Sequence, residues 1–174
     1  MGYGIFRSDR LDCTKTGNIR SARYYESATP TTIENGMLVQ VDELLDASAN
    51  REIFEAVAPS AITSVNVGVV STPELIYDET TKKNLGEFIN AAGDNIRVSM
   101  LKKGDILSVS DECIDAESTV PVVGNYVIIK AGNTKWDEET SLGTTESLVG
   151  KIIARELFNS TRDTYLNVIE IIKA

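Results

Sequence analysis

The sequence predicts a mainly β protein: a single antiparallel β-barrel or β-sandwich domain with one or two short helices and an extended N-terminal arm. Three observations carry this. Short segments rich in Val and Ile alternate with a period of two, and glycine-bearing turns separate them. The first 25 residues share neither that alternation nor the charge sign of the rest of the chain. With 174 residues, of which 42% are hydrophobic and 25% charged, the chain can bury its own core.

The arm comes first. Residues 1–25 carry Arg7, Arg10, Lys15, Arg20 and Arg23 against Asp9 and Asp12, a net of +3, whereas the remaining residues carry −12. Its apolar residues Tyr3, Ile5, Phe6, Leu11 and Ile19 stand isolated between glycines and polar positions. This predicts an extended basic strap over residues 1–27, joined to a β-rich domain over residues 28–174. In such a strap Tyr3, Ile5 and Phe6 serve as apolar anchors, and Arg7, Arg10, Lys15, Arg20 and Arg23 steer it toward an anionic partner surface.

The body reads as strands. Met37, Val39 and Val41 alternate with Leu38 and Gln40, as do Val65, Val67 and Val69 with Asn66 and Gly68, and Ile96, Val98 and Met100 with Arg97 and Ser99. Each is the pattern of a half-buried strand. Residues 126–130 and 148–154 are near-continuous apolar runs, as in strands buried on both faces, and 165–172 is a further β-rich segment. Residues 51–58 alternate less cleanly. Lys102-Lys103-Gly104-Asp105 separates residues 97–101 from 106–110, which predicts a hairpin. Asn35-Gly36 supplies the positive backbone angle of a tight turn before Met37. Leu85, Phe88, Ile89 and Ala92 form one apolar stripe, predicting a helix over 80–92 with Thr80 or Thr81 as its cap and Gly93 past its end. A further turn or two of helix is expected over 42–49. The count is about eight strands.

Residue content excludes much chemistry. With no histidine, the commonest general base and transition-metal ligand are absent. There is no phosphate loop, no Gly-x-Ser-x-Gly elbow and no Cys-x-x-Cys pair. Cys13 and Cys113 are read as free thiols, with one disulfide as the alternative. Asp111, Glu112, Asp115 and Glu117, and then Asp137, Glu138 and Glu139, are read as solvated acidic loops. Paired-carboxylate hydrolysis and calcium chelation are the alternatives. Asn159-Ser160-Thr161 matches a glycosylation acceptor and is read as a polar turn. No cofactor and no metal are expected. The strong negative charge of the body argues against nucleic acid as partner, and no apolar run is long enough to span a membrane. The leading residues lack the apolar core of a signal peptide, so synthesis in a cytoplasm is expected.

Several strand-turn blocks carry a resemblance: IENGMLV at 33–39, FINAAG at 88–93 running into IRVSMLKKGDILSV at 96–109, and VGNYV at 123–127. Through these the chain resembles the head decoration, or capsid cement, proteins of tailed bacteriophages. The resemblance implies a non-enzymatic virion protein that binds the outer surface of the capsid through the major capsid protein, often as a homotrimer, and stabilises the shell. The alternatives are another virion component, such as a neck, tail or baseplate subunit, a carboxylate-dependent hydrolase, or a ligand-binding β-barrel module of a bacterial host.

Overall fold

The computed structural model describes residues 2–46, 50–74, 85–159 and 163–174. The strands, in chain order, begin with β1 (Phe6–Arg10), a short helix α1 (Cys13–Thr16), β2 (Ile19–Glu26), β3 (Thr29–Pro30), β4 (Leu38–Asp46), β5 (Asn50–Val57) and β6 (Val67–Val70). They continue with β7 (Ile96–Met100), β8 (Ile106–Ser110), β9 (Ile114–Asp115), β10 (Tyr126–Ile129), β11 (Trp136–Glu139), β12 (Val149–Asn159) and β13 (Thr164–Lys173).

These strands build two layers. β2, β5, β4, β6 and β7 follow one another around a closed five-stranded barrel, because β7 returns to pair with β2. All pairings in it are antiparallel except β2 with β5. The second layer is a seven-stranded sheet in the order β1-β8-β13-β12-β10-β11-β9. The predicted β-barrel class holds, with more strands than the sequence suggested.

Alternation along the strands explains how the layers meet. Ala22, Tyr24, Val39, Val41, Ala56, Val70, Ile96 and Val98 belong to the core inside the barrel. The opposite parity on β4 and β6 presents Leu38, Val67 and Val69 to a second core, shared with Leu107, Val109, Val127, Ile129, Trp136, Ile152 and Ile169 of the long sheet. Gly68 is required on the inner side of β6, since a Cβ there would lie 2.6 Å from Val98 Cγ1 and 2.7 Å from the Ser99 carbonyl.

The N-terminal arm does not exist as a separate unit. β1 pairs with β8 from Phe6↔Val109 onward, and β2 is a stave of the barrel between β5 and β7. The boundary predicted at residue 27 therefore falls inside the folded body. The cause lies in partners distant in sequence: residues 2–26 contribute apolar side chains to both cores, and their backbone groups are completed by strands 30 to 100 residues away.

Three local expectations also change. Residues 96–110 form no hairpin, because β7 belongs to the barrel and β8 to the long sheet. The connecting turn is pinned elsewhere: Gly104 N–H donates to the Ile171 carbonyl at 2.7 Å, and Ile171 N–H to that of Asp105 at 2.8 Å. Of the helix predicted over 80–92, residues 80–84 lie outside the described residues, and the rest is one 3-10 turn, Leu85–Glu87. Beyond it Asn90 sits in an isolated bridge with Ile33, and its buried amide donates to the Ile33 carbonyl at 2.9 Å, a side-chain bond that holds the backbone extended. The helix expected over 42–49 is β4 as far as Asp46, and residues 47–49 lie outside the described residues, as do Ser160 and Thr161 of the glycosylation motif. The run at 148–154 is buried only as far as Ile152; Ile153 is exposed.

Candidate functional site

The structure separates the residues predicted for partner binding. Ile5 is buried, donating its N–H to Ser110 Oγ at 2.9 Å and accepting from Ser110 N–H at 3.0 Å. Phe6 packs against the core of the long sheet. Ile5 is therefore not available as an anchor for another chain, whereas Phe6 is half-buried. Tyr3 is exposed, tied by its backbone N–H to the Gly86 carbonyl at 2.8 Å.

The cations divide the same way. Arg7 donates to Asp9 Oδ1 at 2.8 Å and Glu156 Oε2 at 3.0 Å, contacts that hold its pKa above the usual arginine value. Arg20 donates to the Val41 carbonyl at 2.6 Å, with its guanidinium 4.9 Å from the centre of the Phe54 ring. Arg23 donates to Asn95 Oδ1 at 2.8 Å. These three brace the fold. Arg10 and Lys15 remain exposed and come together on one cleft.

That cleft, of about 150 Å³, lies where β1, α1 and the turn between β7 and β8 meet. Its geometry depends on Asp105, which is buried and accepts from the backbone N–H of Asp12 at 2.6 Å and of Lys102 at 2.8 Å. Gly104, at φ +91°, completes the turn. With its carboxylate thus tied inward, the turn leaves Lys102 and Lys103 exposed. Lys102 Nζ reaches Asp12 Oδ2 at 2.9 Å, a pairing that raises the lysine's pKa. Arg10, Lys15, Lys102 and Lys103 against Asp12 and Asp105 give this corner a net of +2 on a chain of net −9. Sequence reading found Arg10 and Lys15 but missed the two lysines, which it assigned to a hairpin turn. Their proximity depends on the β1–β8 pairing.

The reading of the acidic segments as solvated loops holds only in part: Asp115 and Glu117 are exposed, whereas Asp111 and Glu138 brace the fold. Asp137 and Glu138 lie on β11 and Asp115 on β9. Glu138 is buried and accepts from Val122 N–H at 2.8 Å, Asn125 Nδ2 at 2.8 Å and Glu117 N–H at 3.2 Å. Lys130 bridges Asp115 and Asp137 at 3.1 and 2.8 Å. Asp111 holds Arg155 at 2.6 Å and Asn167 at 2.7 Å. Among the described residues no group of three or more cysteines and carboxylates is placed to hold a metal ion. Both cysteines are free and buried.

No protein family, curated protein or solved structure matches the chain. The features that bear on its function are therefore its own: the basic corner, the strand-turn blocks and the surface. One of those blocks joins the layers: residues 96–109 carry the chain from β7 of the barrel to β8 of the long sheet.

Proposed function

We propose that the protein is a non-enzymatic structural component of a phage virion, one that binds the outer surface of the capsid and stabilises it. The resemblance in the strand-turn blocks supplies the class. The observation that carries the reading is the basic corner of Arg10, Lys15, Lys102 and Lys103 on an otherwise acidic molecule. Such a corner orients an acidic protein against an acidic patch of a shell subunit while the rest of its surface is repelled. Exposed ion pairs contribute roughly 0–1 kcal/mol each, so the corner sets orientation and encounter rate more than holding strength. Holding needs buried apolar area, and Tyr3, Val122, Val123, Ile153, Leu157 and Phe158 are among the exposed side chains that can provide it. Assembly as a homotrimer, as the resemblance implies, would present three corners together and raise avidity by about 10² to 10⁴.

The test is co-sedimentation with purified heads that lack the protein, using the full chain carrying Arg10→Glu, Lys15→Glu and Lys103→Glu. Truncating the first residues would not serve, because β1 and β2 belong to the fold. The variant should keep its circular dichroism and melting profile yet bind heads at least about tenfold more weakly. Undiminished binding by a folded variant would refute the assignment of the corner. Failure of the unaltered protein to bind heads would refute the capsid role.

A further inference from the structure

A second pocket, of about 270 Å³, lies at the seam between β1 and the barrel and shares Leu11 with the cleft of the basic corner. Its most unusual occupant is Arg97 on β7. The Nε of this side chain is buried without an acceptor, and among the described residues its guanidinium has no carboxylate partner. A buried donor left unpaired costs on the order of 1–3 kcal/mol, more when charged, so a side chain held this way points to something that completes it.

Around Arg97 the pocket is polar. Ser71 Oγ and Ser99 Oγ share one hydrogen bond at 2.7 Å, and the Ser99 hydroxyl also bonds the Cys13 sulfur. Thr72 Oγ1 accepts from the Arg97 backbone N–H at 3.2 Å, so its own O–H is a donor. Glu74 stands in the same pocket, oriented by Asn35 Nδ2 at 3.1 Å, and Asn35 itself is anchored by its bond to the Thr72 carbonyl at 2.8 Å. The pocket is thus lined by a guanidinium, a threonine hydroxyl free to donate and one carboxylate acceptor.

This arrangement selects by charge and size. A guanidinium fork matches the two oxygens of a carboxylate. A phosphate dianion would carry a second charge toward Glu74. The volume lies just below the usual range for drug-sized ligands, roughly 300–1,000 Å³, so the pocket suits a small molecule. We propose that the pocket binds a small carboxylate bearing an adjacent hydroxyl or ammonium group, its carboxylate on Arg97 and its donor group on Glu74. A ligand of about five heavy atoms supplies millimolar affinity, as expected for a metabolite or buffer acid present in excess.

Saturation-transfer NMR on the full chain tests this with glycolate, glycine and acetate observed through their C–H protons, and with inorganic phosphate added as a competitor. Glycolate or glycine should bind, distinguishing the hydroxyl from the ammonium source, with acetate roughly tenfold weaker. Arg97→Gln should abolish binding and Arg97→Lys weaken it. Glu74→Gln should retain carboxylate binding but erase the preference over acetate. No binding by either donor-bearing acid, preference for phosphate, or undiminished binding by Arg97→Gln would each overturn the proposal. Should Arg97→Gln fail to fold, Glu74→Gln still decides, because only the proposed orientation makes it alter selectivity. None of these readouts involves heads, so failure here leaves the capsid reading standing, and the reverse also holds.

Discussion

Trp136 on β11 donates its indole N–H to the Gly36 carbonyl at 2.9 Å, joining positions a hundred residues apart. Trp136 is fully buried in the core between the layers, and Gly36 ends the turn that leads into β4. Gly36 takes φ +86°, and a Cβ there would stand 2.7 Å from Cys113 Sγ. The bond therefore ties the long sheet to the barrel at a point where no larger residue fits. Trp136→Phe keeps most of the apolar bulk and leaves that carbonyl unpaired, so we expect a loss of about 1–3 kcal/mol. Urea unfolding should show a lower midpoint with an unchanged slope. An unaltered midpoint would mean that water replaces the indole without cost.

Gly4 tests whether the leading residues belong to the fold. A Cβ at this position would meet Cys113 Sγ at 2.6 Å and the Asn35 carbonyl at 2.7 Å, whereas at Gly2 the nearest atom is 3.4 Å away. Gly4→Ala should therefore destabilise by about 1–3 kcal/mol, and Gly2→Ala by much less. Equal effects on melting temperature would indicate that residues 2–5 detach readily.

The thiols should be silent in the native protein. Burial pushes the Cys113 thiol up to about 12 and raises that of Cys13 as well. At pH 8 neither forms appreciable thiolate, so an aromatic disulfide reagent should titrate none in the folded chain and both after unfolding. Only a disulfide would leave the unfolded, unreduced chain without reactive thiols.

Glu74 should give stability a pH dependence of defined sign. Burial raises its pKa above the ordinary 4.5, outweighing the bond from Asn35. Its contribution is fully favourable below the unfolded value and is lost as pH rises through the folded one. In carboxylate-free buffer, Glu74→Gln should therefore melt higher than the parent near neutral pH, and the two curves should converge toward pH 4. A variant that melts lower at pH 7 would contradict this.

The strands that carry their own alternation were legible in the sequence. Residues in β4, β6, β7, β8, β10, β12 and β13 announce themselves through Val and Ile at alternate positions or in short runs. β2 did not, because its inward residues are Ala22 and Tyr24 and its cations look solvated when counted along the chain. Arg7 is matched by Glu156 and Arg20 by the Val41 carbonyl, partners that only the tertiary fold supplies. The same limit applies to function. Arg10 and Lys15 were readable as cations, but their meeting with Lys102 and Lys103 was not. Arg97 fell on the face of its strand that alternation assigns to solvent, and the pairing of β6 with β7 that sets Ser71 and Thr72 beside it leaves no local mark.

The barrel is also an insertion. β1 and β8 are neighbours in the long sheet, yet all five barrel strands lie between them in the chain. The loop so formed is pinched at its base, where Met100 N–H donates to the Asn18 carbonyl at 3.2 Å. We expect maturation to run from the inside outward: the barrel can close once Met100 has left the ribosome, whereas β1 must wait for β8 and then for β13. The waiting segment exposes Ile5 and Phe6, so this interval is when a nascent chain is most prone to pair wrongly. Pulse-labelled hydrogen exchange during refolding should find β2 and β7 amides protected ahead of those in β1, and the opposite order would contradict a nested assembly.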